Sequence, residues 1–256
     1  MVIDAHAHLT WRSPGSNWEE RDRALIDAAD RLGIDQLACS NLCPKRPACP
    51  EDFIQANEWA ADSMREYPER ILSYAYVNPG WINEAIEEVR RRVGEGFIGV
   101  KLYNEYPCNE PVVFPLVELC IELGVPILHH AGHSHYHVAA QPRMSGGVEI
   151  AELANRYPEA MIICGHLGGG GDWEWQIKAL RAAPTAYADT SGSVVDEGMI
   201  EMAVEVMGAE RLLFACDMSM TAGVGKLRGA QITEEQRAMI FGDNFQRILA
   251  QRGGSR

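Results

Sequence analysis

Eight short apolar segments rich in β-forming residues recur along the chain, and a helical pattern follows each of them. Such alternation predicts an α/β protein in which crossover connections join parallel strands. The segments 161–164 and 212–215 are apolar on both faces, as expected for strands with helices outside and packed side chains inside. A (β/α)₈ TIM barrel takes roughly 250 residues. Because this chain has 256, we expect one barrel domain over residues 1–256. The predicted strands are 2–9, 36–41, 71–77, 97–103, 126–130, 160–166, 185–190 and 211–217.

The helices between these strands are indicated by apolar periodicity and by start signals. Thr233, which precedes Glu234, Glu235 and Gln236, is typical of a capping residue at a helix N-terminus. Pro50 precedes two acidic residues, a pattern that favours a first helical turn. The predicted helices are 21–32, 50–67, 82–93, 112–123, 148–157, 173–180, 195–207 and 233–249.

Charge and cysteine content restrict the partners and the compartment. The chain has 23 Lys and Arg against 36 Asp and Glu, a net charge of −13, and such a surface repels phosphate backbones. We therefore expect a small-molecule substrate and no nucleic acid partner. Assembly into a homo-oligomer is compatible with this composition. No apolar run is long enough for a bilayer, so no membrane partner is expected, and the N-terminus lacks a signal-peptide pattern. The odd number of cysteines, seven, suits reduced thiols and a cytoplasmic protein.

The eight histidines fall in only three places, all within or just after predicted strands. His6 and His8 lie two residues apart on the first strand, so their imidazoles share one face and converge as metal ligands do. A pair of satisfied core histidines is the competing interpretation. His129 and His130 are neighbours on the fifth strand, so only one can face the barrel interior. We favour His130, at the strand end, and expect His129 to pack between strand and helix.

Two further residues stand at strand ends, where barrel active sites form. His166 ends the sixth strand before four glycines, which either admit a ligand close to the backbone or form a turn. Asp217 ends the eighth strand, where burial of a carboxylate is unfavourable unless it is paired or metal-bound. Capping of the next turn is the alternative for Asp217. A histidine at such a strand end, beside a metal, can polarise a carbonyl or hold a metal-bound water.

Lys101 and Asp4 have more than one interpretation. Lys101 ends the fourth strand, where it could bind a substrate anion, pair with a carboxylate, or bridge two metals if carboxylated. We favour a single metal ion. Asp4 shares a face with His6 and could support that imidazole or bond the backbone.

The ordered set of these residues resembles the amidohydrolase superfamily, in particular the branch that includes aminocarboxymuconate semialdehyde decarboxylase. The resemblance covers nearly the whole chain and includes segments 4–8, 99–103, 124–132, 156–158, 165–169, 211–217 and 240–244. It implies one divalent ion, usually Zn²⁺, bound by His6, His8, His130 and Asp217, with His166 and Asp217 assisting a metal-bound water. Met218 and Ser219 stand where the family often has Trp-Pro, and a loop rich in His and Arg, 133–147, is expected to set specificity.

The reaction is not fixed by this resemblance, because the branch contains hydrolases as well as decarboxylases and hydratases. We predict a metal-dependent hydrolase that acts on a small amide, ester or lactone bearing a carboxylate. The alternative is a decarboxylase or hydratase of an unsaturated carboxylic acid. A metal-dependent nuclease is disfavoured by the net charge and by Lys101, and a non-catalytic sensor by the intact ligand set. The expected substrate-binding residues, which combine cations with an aromatic ring, are Lys101, Tyr103, Arg12 and Arg143. The competing interpretation of Arg12 and Arg143 is pairing with surface acids.

Overall fold

The computed structural model describes residues 1–12, 15–132 and 144–251. Eight parallel strands lie side by side in the order of the sequence, from β1 to β8, as predicted for a (β/α)₈ barrel. The barrel closes through two backbone hydrogen bonds, from Ala5 N to Phe214 O at 2.9 Å and from Asp217 N to His6 O at 2.8 Å. The strands are β1 Ile3–His8, β2 Gln36–Ser40, β3 Ile71–Tyr76, β4 Gly99–Leu102, β5 Ile127–His130, β6 Ile162–Gly165, β7 Tyr187–Asp189 and β8 Leu212–Leu213.

The last strand is much shorter than the predicted segment 211–217. After Leu213 the chain leaves the ladder, because Phe214 N donates to Ile240 O at 2.8 Å instead of to a neighbouring strand. Asp217 and Met218 then adopt positive φ angles of 46° and 69°, which no regular strand contains. The segment that carries Asp217 is therefore a turn at the C-terminal end of the barrel.

Ten α-helices connect or follow the strands in the described ranges, and none of them is long and apolar enough to cross a bilayer. Helix α8 was not predicted from the sequence, because its three glycines are typical of a loop. Gly223 allows this helix to pack against the segment after β8, because an added Cβ would lie 2.8 Å from Cys216 Sγ. The helices are α1 Trp18–Leu32, α2 Pro50–Glu66, α3 Ile82–Gly94, α4 Phe114–Leu123, α5 Gly147–Arg156, α6 Trp173–Leu180, α7 Met199–Met207, α8 Met220–Gly229, α9 Glu234–Ala238 and α10 Asn244–Ala250.

Apolar side chains fill the lower half of the barrel and leave the C-terminal end polar. Tyr74, Leu128 and Ile163 belong to one buried cluster, which Phe245 and Ile248 of α10 cover from below. A second and larger buried cluster includes the apolar sides of the surrounding helices. All seven cysteines are free thiols, as the sequence predicted. Because the base is closed by packing, ligands have access from the end where the histidines lie.

Candidate functional site

Three of the predicted metal ligands converge at the C-terminal end of the barrel. The register of β1 shifts between Asp4 and Ala7, so His6 lies within the irregular part of the strand and His8 lies just after it. His8 Nε2 lies 3.0 Å from Asp217 Oδ1, and His6 Nε2 lies 3.9 Å from the same oxygen. The donor atoms of these three residues all lie within 4.8 Å of one another, a spacing that one metal ion can bridge.

The other ring nitrogens of both histidines are held by neighbouring strands. His6 Nδ1 lies 2.7 Å from Asp189 Oδ2 at the end of β7. His8 Nδ1 lies 2.9 Å from Ser40 Oγ at the end of β2. With Nδ1 engaged in this way, each imidazole turns Nε2 towards Asp217, which is the usual arrangement around a metal.

Asp189 is a site residue that sequence analysis missed. Its Oδ1 accepts hydrogen bonds from His166 N at 2.9 Å and from Ser191 N at 2.9 Å, while Oδ2 faces His6. One fully buried carboxylate therefore orients parts of β1, β6 and β7 together. The available signal was an aspartate near the end of a predicted barrel strand, the same signal that pointed to Asp217.

His166 and His130 adjoin this group. His166 Nδ1 lies 3.4 Å from Asp217 Oδ2 and 3.0 Å from Ser191 Oγ, and its Nε2 lies 2.8 Å from His130 Nδ1. His130 is the predicted ligand that does not converge with the other three, and it reaches them through His166. His129 is buried, and its Nδ1 donates to the His130 carbonyl oxygen at 2.6 Å. The structure thus places His130, and not His129, at the site.

Backbone strain is concentrated here. His166 has a φ of 67°, and with Asp217 and Met218 it completes the set of non-glycine residues with positive φ in the described ranges. Such conformations persist only where surrounding contacts impose them, and they cluster at functional sites. For His166, the imposing contacts include its N–H bond to Asp189.

Burial sets the protonation states. It lowers the pKa of His6 to about 4 and that of His166 to about 3, with further lowering by Lys101 and His6 respectively. Burial alone would raise the pKa of Asp217, but contacts with His8, His166 and His6 outweigh it and hold that pKa far below its usual range. At neutral pH the site therefore presents neutral imidazoles beside an ionised carboxylate, the donor set that borderline divalent ions bind.

Lys101 and Asp4 have clear positions. The fully buried Lys101 Nζ donates to His6 Nε2 at 2.7 Å, and burial lowers the pKa of Lys101 to about 8. A metal on His6 Nε2 would take the lone pair that Lys101 now uses. Asp4 Oδ1 accepts from His6 N at 3.1 Å and from Cys216 N at 3.0 Å, so it bonds backbone across the seam between β1 and the segment after β8.

A second donor group overlaps the first. His6, His166 and Asp189 also lie within 4.8 Å of one another. All three are buried, and His6 and Asp189 already bond each other, so this group offers no open position. The group of His6, His8 and Asp217 fits a catalytic ion better, because Asp217 and His8 are partly exposed to the cavity.

The cavity above these ligands has two lobes that share His130, His166 and Asp217. The first, about 300 Å³, is lined further by Leu42, Arg46 and Tyr103. The second, about 210 Å³, is lined further by four glycines, by Ala131 and Met144, and by Ser193. We call them the arginine lobe and the glycine lobe.

Stacked side chains form the wall of the arginine lobe. The Tyr103 ring stacks on His130 with centroids 4.2 Å apart, and the Arg46 guanidinium carbon lies 3.9 Å from the centre of the Tyr103 ring. Arg46 is exposed and forms no ion pair with any carboxylate of the described residues. Tyr103 was predicted from the sequence as a substrate-binding residue, and it lines the arginine lobe. Arg46 was not predicted, because its only signal was its place in the loop after the second strand.

Arg12 is a correction to the predicted substrate-binding set. It is only 4% exposed, and its guanidinium contacts Asp62 at 3.0 Å, Asp22 at 3.5 Å and Ser63 Oγ at 2.7 Å. It also stacks on Trp18 at 3.5 Å. Because these contacts occupy its charge, Arg12 anchors the loop after β1 to α1 and α2 and does not face the cavity. Arg143 lies outside the described residues.

Comparisons with known proteins agree with this geometry. The family model described as Amidohydrolase matches residues 3–250, so the chain belongs to the amidohydrolase family. A search of curated proteins gives no match.

Solved structures share the fold over nearly the full chain. A 2,6-dihydroxybenzoate decarboxylase from Rhizobium has a TM-score of 0.74 and 20% identity, with coverage of 97% of this chain and 98% of the other. A 4-oxalomesaconate hydratase from Rhodopseudomonas palustris has a TM-score of 0.76 and 16% identity, with coverage of 98% and 96%. A 5-carboxyvanillate decarboxylase from Novosphingobium aromaticivorans, complexed with manganese and a nitrobenzoic acid, has a TM-score of 0.76 and 17% identity, with coverage of 98% of this chain and 96% of the other.

Proposed function

We propose that this protein is a metal-dependent decarboxylase of a small, planar carboxylic acid that is aromatic or unsaturated. The observation that carries the proposal is the arginine lobe, where an unpaired guanidinium and a stacked tyrosine face the cavity beside the metal-binding group. A guanidinium binds carboxylates and an aromatic ring packs against flat ligands, so this lobe suits a planar acid.

One divalent ion completes the site in this proposal. His6, His8 and Asp217 would hold it, and His130 is the proposed fourth ligand, next to them through His166. When bound, the ion supplies a positive charge that polarises substrate oxygens. The donors suit Zn²⁺, the ion expected from the sequence, but one solved relative holds manganese, so we assign a divalent ion without choosing between them.

Asp217 transfers the proton, and His166 holds Asp217 in position. Decarboxylation breaks the bond between a substrate carbon and its carboxylate, releases CO₂ and places a proton on that carbon. Asp217 lines both lobes and is only partly buried, so it is placed to accept a proton from a group bound beside it and return it to the carbon. His166 stays neutral, and its contact with Asp217 Oδ2 keeps that carboxylate in place.

The remaining cations orient the substrate. Arg46 replaces Arg12 in our assignment as the group that contacts a substrate carboxylate. Lys101 lies below the metal-binding group and would stabilise negative charge that develops on the substrate. Tyr103 provides the flat surface between Arg46 and His130. Arg143 stays a sequence-based prediction.

The relatives support the decarboxylase and hydratase alternative over the hydrolase that sequence analysis ranked first. Two of the three named above are decarboxylases of carboxylated aromatics and one is a hydratase. The cavity also favours a decarboxylase or hydratase over a hydrolase in this proposal, because its lobes are small and the stacked side chains of Arg46, Tyr103 and His130 form the wall of one of them.

The test is a panel of substrates with metal-loaded protein. The acids are 2,6-dihydroxybenzoate, 5-carboxyvanillate and 4-oxalomesaconate, and the other arm contains lactones, amides and esters of similar size. We expect CO₂ release from at least one aromatic acid, and its loss in Asp217→Asn and in metal-stripped protein. Hydration without CO₂ release would favour a hydratase. Turnover of only the lactones, amides or esters would favour the hydrolase predicted from the sequence.

A further inference from the structure

A single peptide unit, between Gly192 and Ser193, separates the candidate site from a groove outside the barrel. The inner side is the glycine lobe, which both residues line. The outer side is a groove of about 490 Å³ between the segment before α7 and helix α8, and Lys226 lines it. The peptide therefore has a lysine on one side and the site on the other.

Lys226 has an unusual set of contacts for a half-buried lysine. Its Nζ donates to the Gly192 carbonyl oxygen at 2.9 Å. No carboxylate of the described residues forms an ion pair with it, although the chain carries 36 acidic residues. Its one hydrogen bond within the described ranges is therefore to a peptide carbonyl, although Asp196, Glu197 and Glu201 line the same groove.

The other end of this peptide is the N–H of Ser193. The bond between Gly192 and Ser193 is trans, and in a trans peptide the C=O and the N–H point in opposite directions. Since the carbonyl faces Lys226 on α8, the N–H points away from α8, and Ser193 is one of the residues that line the glycine lobe. No acceptor among the described residues takes this N–H, whereas the next one, Val194 N, donates to Gly168 O at 3.0 Å.

Close packing fixes two glycines that line this lobe. Gly192 has a φ of 105°, and an added Cβ would lie 2.3 Å from the carbonyl carbon of Gly168. At Gly169, an added Cβ would lie 2.9 Å from His166 Cβ. Glycine is therefore required at both positions. A positive charge on the carbonyl also strengthens the N–H of the same peptide as a donor.

We propose that the glycine lobe is a binding subsite for a second anionic oxygen of the substrate, which the Ser193 N–H contacts and Lys226 strengthens through the shared peptide. The oxygen belongs to a carboxylate or phenolate that the reaction leaves intact. The proposal rests on the proposed function, because the lobe opens onto His166 and Asp217, and it narrows the substrate to planar acids with two anionic groups. Lys226 acts through the peptide and is a positioning residue.

The experiment compares one anionic group with two. Calorimetric titration of metal-loaded protein measures Kd for benzoate, isophthalate and terephthalate. The variants are Lys226→Met, which removes the charge, Lys226→Arg, which keeps it, and Ser193→Pro, which removes the N–H without touching α8. Lys178→Met is the matched control, because Lys178 lies on α6 and pairs with Glu174 at 3.1 Å.

At least one dicarboxylate should bind wild type ten times more tightly than benzoate. This advantage should fall below threefold in Lys226→Met and Ser193→Pro and persist in Lys226→Arg and Lys178→Met, while Kd for benzoate stays within twofold throughout. Equal affinities in wild type, or an advantage that survives both disrupting variants, would overturn the subsite. If Lys226→Met does not fold, the dicarboxylate advantage in Ser193→Pro alone tests the subsite. Binding is measured without turnover, so the subsite can hold while the decarboxylase proposal fails, and the reverse.

Discussion

Asp189→Asn offers a demanding test of how the site is ordered. Asp189 Oδ1 accepts three hydrogen bonds, from His166 N and from Ser191 N and Oγ, while Oδ2 receives only His6 Nδ1. An asparagine at this position would keep its oxygen where the three donors are. Its amide nitrogen would then face His6 and donate to Nδ1.

That reversal changes the tautomer of His6. To accept a hydrogen bond at Nδ1, the neutral imidazole must carry its proton on Nε2, and a protonated Nε2 cannot bind a metal. Loss of such an outer partner typically lowers metal affinity by roughly 10- to 100-fold. This corresponds to about 1.4 to 2.8 kcal/mol. The effect should approach the upper figure, because Nε2 is blocked and not merely less basic.

The assay is a competition titration of Zn²⁺ and Mn²⁺ against a chromophoric chelator. Asp27→Asn is the matched control, since Asp27 is exposed on α1 and far from the histidines in sequence. Circular dichroism and thermal melting establish that Asp189→Asn is folded. If folded Asp189→Asn binds both ions within twofold of wild type, the argument from the His6 tautomer is wrong.

Three further predictions concern stability and substrate contact. The pKa values of His6 and His166, about 4 and about 3, lie below the ordinary value of about 6.5. The unfolded chain therefore binds protons first as the pH falls, and the free energy of unfolding of the metal-free protein should drop by on the order of a few kcal/mol from pH 6.5 to pH 4. Urea melts at each pH measure this drop, and a free energy of unfolding that does not change with pH would refute it. Asn57→Ala removes the amide that pairs with Tyr76 N at 2.8 Å and Tyr76 O at 2.9 Å inside the barrel wall, so unfolding free energy should fall by roughly 2–4 kcal/mol, against under about 0.5 kcal/mol for the exposed Asn155→Ala. Arg46→Gln should raise KM for an acid substrate about tenfold or more and leave KM for its neutral amide unchanged; equal changes would remove Arg46 from the substrate contacts.

Sequence periodicity predicted the architecture because each strand and helix has its own local signal. The convergence of His6 and His8 on β1 was predictable for the same reason, since the alternation of a strand fixes which residues share a face. The segment after β8 was harder, because the chain stops pairing with β7 at Phe214 through a contact with Ile240 that no local pattern indicates. Helix α8 was missed because its glycines disfavour a helix, although Gly223 is the residue that allows it to pack against Cys216.

Long-range pairing explains the errors among the site residues. Arg12 and Arg46 both follow strands, and nothing nearby in the sequence distinguishes them. The difference arises from Asp62, 50 residues after Arg12, which forms an ion pair with it at 3.0 Å, while Arg46 stacks on Tyr103 and forms no ion pair with a carboxylate of the described residues. Asp189 acts on His6 across 183 positions of sequence, so its role becomes visible only in the folded barrel.

The most direct test of this account is an anomalous difference map from crystals of the metal-loaded protein. We predict one peak, at about 2.0 to 2.3 Å from His6 Nε2, His8 Nε2 and Asp217 Oδ1, with Lys101 displaced from His6 and not carboxylated. A peak among His6, His166 and Asp189, or two peaks bridged by a carboxylated Lys101, would contradict the account.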